Sequence, residues 1–155
     1  MVYKTGREYS PIHEGFMEQA LKEAEKARKK GEMPVGAVIV RDGVIISRGH
    51  NEKEAKNDAT LHAEMTAIRR ASKKLGSWRL TDCDLYVTLE PCTMCPGAII
   101  QARIRNLYIG TSDLKAGAAG SVIDVFRVKE FNHRVDVVWG VLEEKCSAIL
   151  KEFFR

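Results

Sequence analysis

Disulfide scaffolds, membrane spans and secretory leaders all need material that this chain lacks. It has only four cysteines, too unevenly spaced for a stapled framework. Its longest apolar run, Val35 to Val40, falls far short of the roughly 18 residues that a membrane helix needs. The start, Met1-Val2-Tyr3-Lys4-Thr5-Gly6, has no apolar h-region, so no secretory leader is expected. Internal repeats, low-complexity tracts and linker-like composition shifts are also missing. Residues 1–155 are therefore read as one domain, cytoplasmic and with reduced thiols, and without a membrane partner.

What is present is ordinary for a globular protein. The apolar fraction is 45% and the charged fraction 30%, in a chain long enough to bury a core. The net charge is +4, and the pI is near 8.9. Basic residues concentrate at Lys22 to Lys30, at Arg69 to Lys74 with Arg79, and at Arg103 and Arg105. Such clusters suit a phosphate-bearing partner. Taken alone, they are better explained as solvated helix faces.

The periodicity divides the chain into alternating elements. Ser10-Pro11 reads as a cap with proline at the first helical position. Phe16, Met17, Ala20, Leu21, Ala24 and Ala27 then share one helical face, with Gly31 as the stop. Val35 to Val40 and Val44 to Arg48 are strand-like runs about Asp42-Gly43, a strong hairpin signal. A second helix is expected from about Thr60 to Leu75, with Leu61, Met65, Ile68 and Leu75 inward and Gly76 as its cap. Leu85 to Leu89 reads as a strand, 93–102 as a helix and Asn106 to Gly110 as a strand, a sequence that implies a parallel pair. A glycine-rich loop (113–120) precedes a short helical stretch near Ser121 to Phe126, a strand at Val135 to Trp139 and a closing helix from Leu142 to Phe154. The order predicts an α/β fold: a three-layer α/β/α sandwich around a mixed five-stranded sheet.

Two motifs carry the chemistry. His62-Ala63-Glu64 is followed some thirty residues later by Pro91-Cys92-Thr93-Met94-Cys95. One histidine and two cysteines are three ligands for a tetrahedral zinc, leaving one position for water, as catalytic zinc sites do. Cys92 and Cys95 stand at i and i+3, on one face of a helical first turn whose dipole favours thiolates. Glu64, two residues from a ligand, suits a general acid/base better than a mere complement to the helix dipole. A redox Cys-x-x-Cys pair has no use for His-Ala-Glu on another helix, and a structural zinc needs a fourth ligand, with Cys83 and His50 nearest in sequence. Cys83 and Cys146 read as buried small hydrophobes. His13, His50 and His133 read as surface or hydrogen-bonding residues.

The H-x-E…P-C-x-x-C pattern is the signature of zinc-dependent nucleobase deaminases. On these residues the chain resembles the cytidine-deaminase-like superfamily, a likeness that implies a reaction type and leaves the substrate open. Further segments resemble the bacterial tRNA-specific adenosine deaminases: Pro34 to Val38, Gly49-His50-Asn51, Asp58 to Glu64, Leu85 to Cys95, Asp113 to Ser121, Asn132 to Val135 and Phe153-Phe154-Arg155. The resemblance implies hydrolytic conversion of adenosine to inosine at the wobble position of a tRNA anticodon stem-loop, with release of ammonia, by a homodimer. It implies one Zn2+ per subunit on His62, Cys92 and Cys95, with Glu64 taking a proton from the attacking water and passing protons to the ring and the leaving ammonia. Asn51 would hydrogen-bond the flipped purine, and Pro34, Val35, Ala63 and Leu89 would line its pocket. Asp113 would lie beside the RNA backbone, and Phe153 would stack on an anticodon base. Ala59, Leu61 and Pro96 depart from the pattern expected of the family. The end at Arg155, without the longer basic tail of some relatives, predicts weaker RNA affinity. Rival readings are a free-base or nucleotide deaminase, guanine deaminase first, and a non-catalytic zinc-stabilised RNA-binding subunit.

Overall fold

The computed structural model describes residues 3–4, as backbone, and 11–155. The Ser10 cap expected before the first helix lies outside the described residues. Helix α1 (Pro11–Lys29) buries Met17, Ala20, Glu23, Ala24 and Ala27. Phe16 and Leu21 are only half-buried. The hairpin strands β2 (Gly36–Arg41) and β3 (Val44–His50) run antiparallel through Asp42-Gly43, both of which have positive φ. Strand β4 (Cys83–Leu89) lies antiparallel to β2 and parallel to β5 (Asn106–Thr111), which in turn lies parallel to β6 (Asp136–Trp139). The expected crossover is thus present, with helix α3 (Met94–Gln101) between β4 and β5. A two-residue strand β1 (Tyr3–Lys4) adds to the five on the β6 edge, for an order β1-β6-β5-β4-β2-β3.

Side chains alternate along the strands, and each face of the sheet has its own core. Val38, Val40, Tyr86, Tyr108 and Val138 point to one face and pack with Met17 and Ala20 of α1 and Cys146 of α4 (Glu143–Phe153). Ala37, Ile39, Leu85, Val87, Leu107 and Ile109 point to the other, against helix α2 (Ala63–Leu75) and α3. This is the three-layer sandwich that the element order predicts. No helix among the described residues is long and apolar enough to cross a membrane.

Four expectations need correction. Helix α2 begins at Ala63, not near Thr60, because Asp58 holds Thr60 in a local side-chain turn and His62 stays extended as the N-cap. Its buried residues are Ala63, Glu64, Thr66, Ala67 and Ala71, whereas Met65, Ile68 and Leu75 are only half-buried, the last two at the margin of the core. Small residues win because the helix packs very closely on β3. A Cβ placed on Gly49 would lie 2.5 Å from the Ala63 carbonyl oxygen and 2.8 Å from the Ala67 nitrogen. The stretch 121–126 is a turn leading into a three-residue 3-10 turn, Val125–Arg127, capped by Asp124. Finally, Cys92 precedes α3 instead of sharing its first turn with Cys95.

Candidate metal centre and catalytic cavity

Every segment bearing the two motifs reaches the same end of the sheet. The carboxyl ends of β4 and β5 lie there, beside the start of β2, the end of β3 and the N-terminus of α2. Ligands of open α/β sheets characteristically bind outside the carboxyl ends of such strands. His62 Nδ1 lies 3.5 Å from Cys92 Sγ and 3.7 Å from Cys95 Sγ. A tetrahedral zinc, with bonds of about 2.3 Å to sulfur and 2.0 Å to nitrogen, holds such a pair about 3.5 Å apart. The three donors therefore fit the ion in both chemistry and spacing. Among the described residues, no fourth histidine, cysteine or carboxylate joins them. The candidates for a closed structural site are engaged elsewhere: Cys83 Sγ reaches the Thr81 carbonyl, and His50 is bonded to Glu23 and Lys30.

One of the three donors is ready for a cation, and the other two are shifted toward their protonated forms, so that binding a cation displaces protons. Hydrogen bonds from Cys95 and His62 pull the Cys92 thiol down to about 3, so a thiolate already exists at neutral pH. The Cys95 thiol is pushed up, first by its hydrogen bond to that thiolate and then by burial. The hydrogen bond to Cys92 raises His62 despite its burial. Glu64 is 3% exposed, and this burial raises its carboxyl to about 7. A carboxyl poised near neutrality can both accept and return a proton.

These groups border a cavity of about 590 Å³. Of the residues expected there, His62, Ala63, Glu64, Cys92, Asn51, Val35, Leu89 and Asp113 line it. Cys95 is fully buried behind them. Asn51 Oδ1 is buried without a hydrogen-bond partner in the chain, so this acceptor in the cavity wall is open to a donor from water or a ligand. Pro34 is buried but does not line the cavity, and Phe154 takes the lining position expected of Phe153. The last turn of α4 turns Phe154 toward the opening, where it is 66% exposed and meets the Phe153 ring edge-on. Sequence reading missed Lys53, Glu90, Leu114, Lys115 and Leu150 as lining residues. Only Glu90 left a signal: a carboxylate between a buried apolar strand and Pro91-Cys92.

A histidine and two cysteines beside a buried carboxylate, at one end of this sandwich, define a deaminase of the cytidine-deaminase-like class. Comparison with known proteins agrees. Residues 12–155 match the family described as MafB19-like deaminase. A tRNA-specific adenosine deaminase of Bacillus subtilis (strain 168) is 48% identical over 90% of this chain and 87% of its own length. One from Streptococcus pyogenes serotype M18 is 51% identical over 90% of this chain and 88% of its own. A solved structure from studies of A-to-I editing by tRNA:A34 deaminases superposes with a TM-score of 0.85. It is 48% identical and covers 88% of this chain and 99% of that one. The chain belongs to this deaminase family, in the group of the tRNA-specific adenosine deaminases.

Proposed function

We propose that the protein is a zinc-dependent hydrolytic deaminase that converts adenosine to inosine at the wobble position of a tRNA anticodon and releases ammonia. The observation that carries this reading is the convergence, in one cavity, of a tetrahedrally spaced ligand trio, a carboxyl near neutrality and the unpartnered Asn51 oxygen. The tRNA-specific relatives supply the substrate class.

His62, Cys92 and Cys95 would hold one zinc ion per subunit, which when bound would supply the Lewis acidity that makes water a nucleophile near neutral pH. Glu64 accepts a proton from the attacking water and delivers protons to the purine ring nitrogen and the departing amine. Its burial keeps the carboxyl basic enough for the first transfer and acidic enough for the second. Asn51 Oδ1 accepts a hydrogen bond from the base, while Val35, Ala63 and Leu89 enclose its faces. The base must leave its stack to enter, which a single-stranded loop allows at little cost. Asp113 lies beside the RNA backbone at the rim. Phe154, rather than Phe153, offers the exposed ring on which a neighbouring base stacks.

In this reading one domain suffices, it works in the cytoplasm, where free thiols persist, and it acts as a homodimer. Val122 and Ile123, 55% and 49% exposed beside the cavity loop, are apolar surface suited to a second copy. The test uses purified zinc-loaded protein with an anticodon stem-loop bearing wobble adenosine, and separately with free guanine, cytosine and cytidine. Inosine in the stem-loop, with no ammonia from the free compounds, is the expected result. Deamination confined to the free compounds would overturn the assignment in favour of the rival enzyme, and turnover of none in favour of a non-catalytic RNA-binding subunit.

A further inference from the structure

We infer that Glu90 is a positioning residue: it locks the 112–121 loop into place as a wall of the cavity and so sets affinity for the RNA loop, leaving the chemical step to Glu64. This rests on the substrate reading above for its kinetic consequence, though not for the lock itself.

Glu90 follows β4 directly, and its own N–H donates to the Thr111 carbonyl at the end of β5, 2.9 Å away. The backbone is thus pinned where two parallel strands end. Its side chain is 2% exposed. Oε1 accepts from the Asp113 N–H at 2.9 Å and from the Ser121 hydroxyl. Oε2 accepts from the Ala119 N–H at 2.9 Å and the Ser121 N–H at 3.1 Å. The two oxygens of a carboxyl group offer about four acceptor positions, and four donors are directed at them. Two buried carboxylates border this cavity, yet only Glu64 has acceptor capacity left for a substrate proton.

The four donors come from both ends of one loop. Between them the chain folds back over the carboxylate, with the Gly117 N–H on the Asp113 carbonyl and the Ala118 N–H on the Pro91 carbonyl. The approach is so close that a Cβ on Gly117 would lie 2.3 Å from the Glu90 carboxyl carbon. The order continues outward from there. Asp113, held through its N–H, uses Oδ1 to accept from the N–H groups of Lys115 and Ala116, both at 3.1 Å. Glu90 therefore fixes Asp113, and Asp113 fixes the turn that carries Lys115 to the rim. The glycines and alanines of 116–120 serve this fold-back, and the loop's charge is aimed at the substrate by a residue that need not touch it.

Glu90→Gln tests the assignment. It keeps the shape but sets an amide N–H2 against loop donors, leaving buried N–H groups unsatisfied, worth about tenfold or more in loop placement. With zinc-loaded full-length chain and the wobble-adenosine stem-loop, KM should rise about tenfold or more while kcat stays within about threefold. Zinc should remain at one per chain. Hydrogen exchange at amides 113, 119 and 121 should quicken about tenfold, with β4 and α2 unchanged. Ser121→Ala, which deletes only the hydroxyl donor, should raise KM about threefold by the same route, and carries the test alone if Glu90→Gln does not fold. A fall in kcat at constant KM, loss of zinc, or unchanged exchange at the three amides would overturn the assignment. If the wild-type chain leaves the stem-loop unmodified, the substrate reading fails while the exchange experiment still decides the lock.

Discussion

The reactive residues differ from their duller counterparts in what surrounds them, and the difference is testable one side chain at a time. Asn51 Oδ1 is buried and unpartnered within the chain, and under the proposed function a bound base would supply its donor. Asn51→Ala should lower kcat/KM for the stem-loop about 10–100-fold, the range expected when a substrate group loses its buried partner. Its zinc content should not change; metal loss in this variant would mean the side chain supports the fold instead of reading the base. Glu64→Ala should keep its zinc and lose about 10²–10⁴-fold in kcat, and a variant with near-normal kcat would remove Glu64 from the mechanism. The cysteines separate by pH. Cys92 is lowered to about 3 by the hydrogen bonds from Cys95 and His62, so at pH 6 it stands above its folded pKa as a thiolate. Burial raises Cys146 to about 12, and it stays protonated there. Iodoacetamide at pH 6 should therefore modify metal-free protein at Cys92 and spare Cys146, and added zinc should protect Cys92. Mass spectrometry showing equal labelling of the two would contradict this.

At the scale of elements, helix α2 matters most because its N-cap is His62 and its first turn carries Ala63 and Glu64. The strands were legible in the sequence as short runs rich in Val, Ile, Leu and Tyr, although such runs are apolar on both faces and do not show which core each side chain enters. The inner face of α2 was not. Ile68 and Leu75 pack against the core as expected but stay half-buried, and the deepest positions go to Ala63, Ala67 and Ala71, because closeness to Gly49 leaves no room there for longer side chains. Hydrophobicity alone does not show which side chains lie deepest when backbone approach sets the packing. The clustering of His62, Cys92 and Cys95 was legible for the opposite reason: their spacing reflects chemistry more than packing, and it holds although Cys92 precedes the first turn of α3. Glu90 was hidden because its partners, 113, 119 and 121, lie across a loop whose path no local pattern predicts. Gly49→Ala follows from the same geometry. Its Cβ would press on the backbone at Ala63 and Ala67, costing about 1–3 kcal/mol as overpacking, and should displace His62. The urea midpoint should drop and zinc affinity should weaken together. A destabilised variant with unaltered zinc affinity would show that α2 yields away from its first turn.

For the whole molecule the question is how a modest net charge of +4 serves an RNA substrate. Many of its cations are already occupied. Arg28 pairs with Glu25, Lys26 with Glu23, Arg105 with Asp84 and Lys145 with Glu18. Lys53 and Lys115, by contrast, border the cavity itself, where a phosphate flanking an inserted base would lie. Charge placed there acts locally, so affinity depends on a few contacts and only weakly on the total. Each phosphate contact on single-stranded RNA contributes about 0.7 to the slope of log K against log salt, so three contacts weaken binding about 20-fold between 50 and 200 mM. Replacing Lys53 and Lys115 together by alanine should lower that slope by about 1.4. Replacing the paired Arg28 and Lys145, with the same change in net charge, should leave the slope as it was. Stem-loop binding measured by fluorescence anisotropy across a salt series separates the two cases. Equal slopes for both double variants would mean that the enzyme attracts RNA through its overall charge, and that the cavity rim makes no phosphate contact of its own.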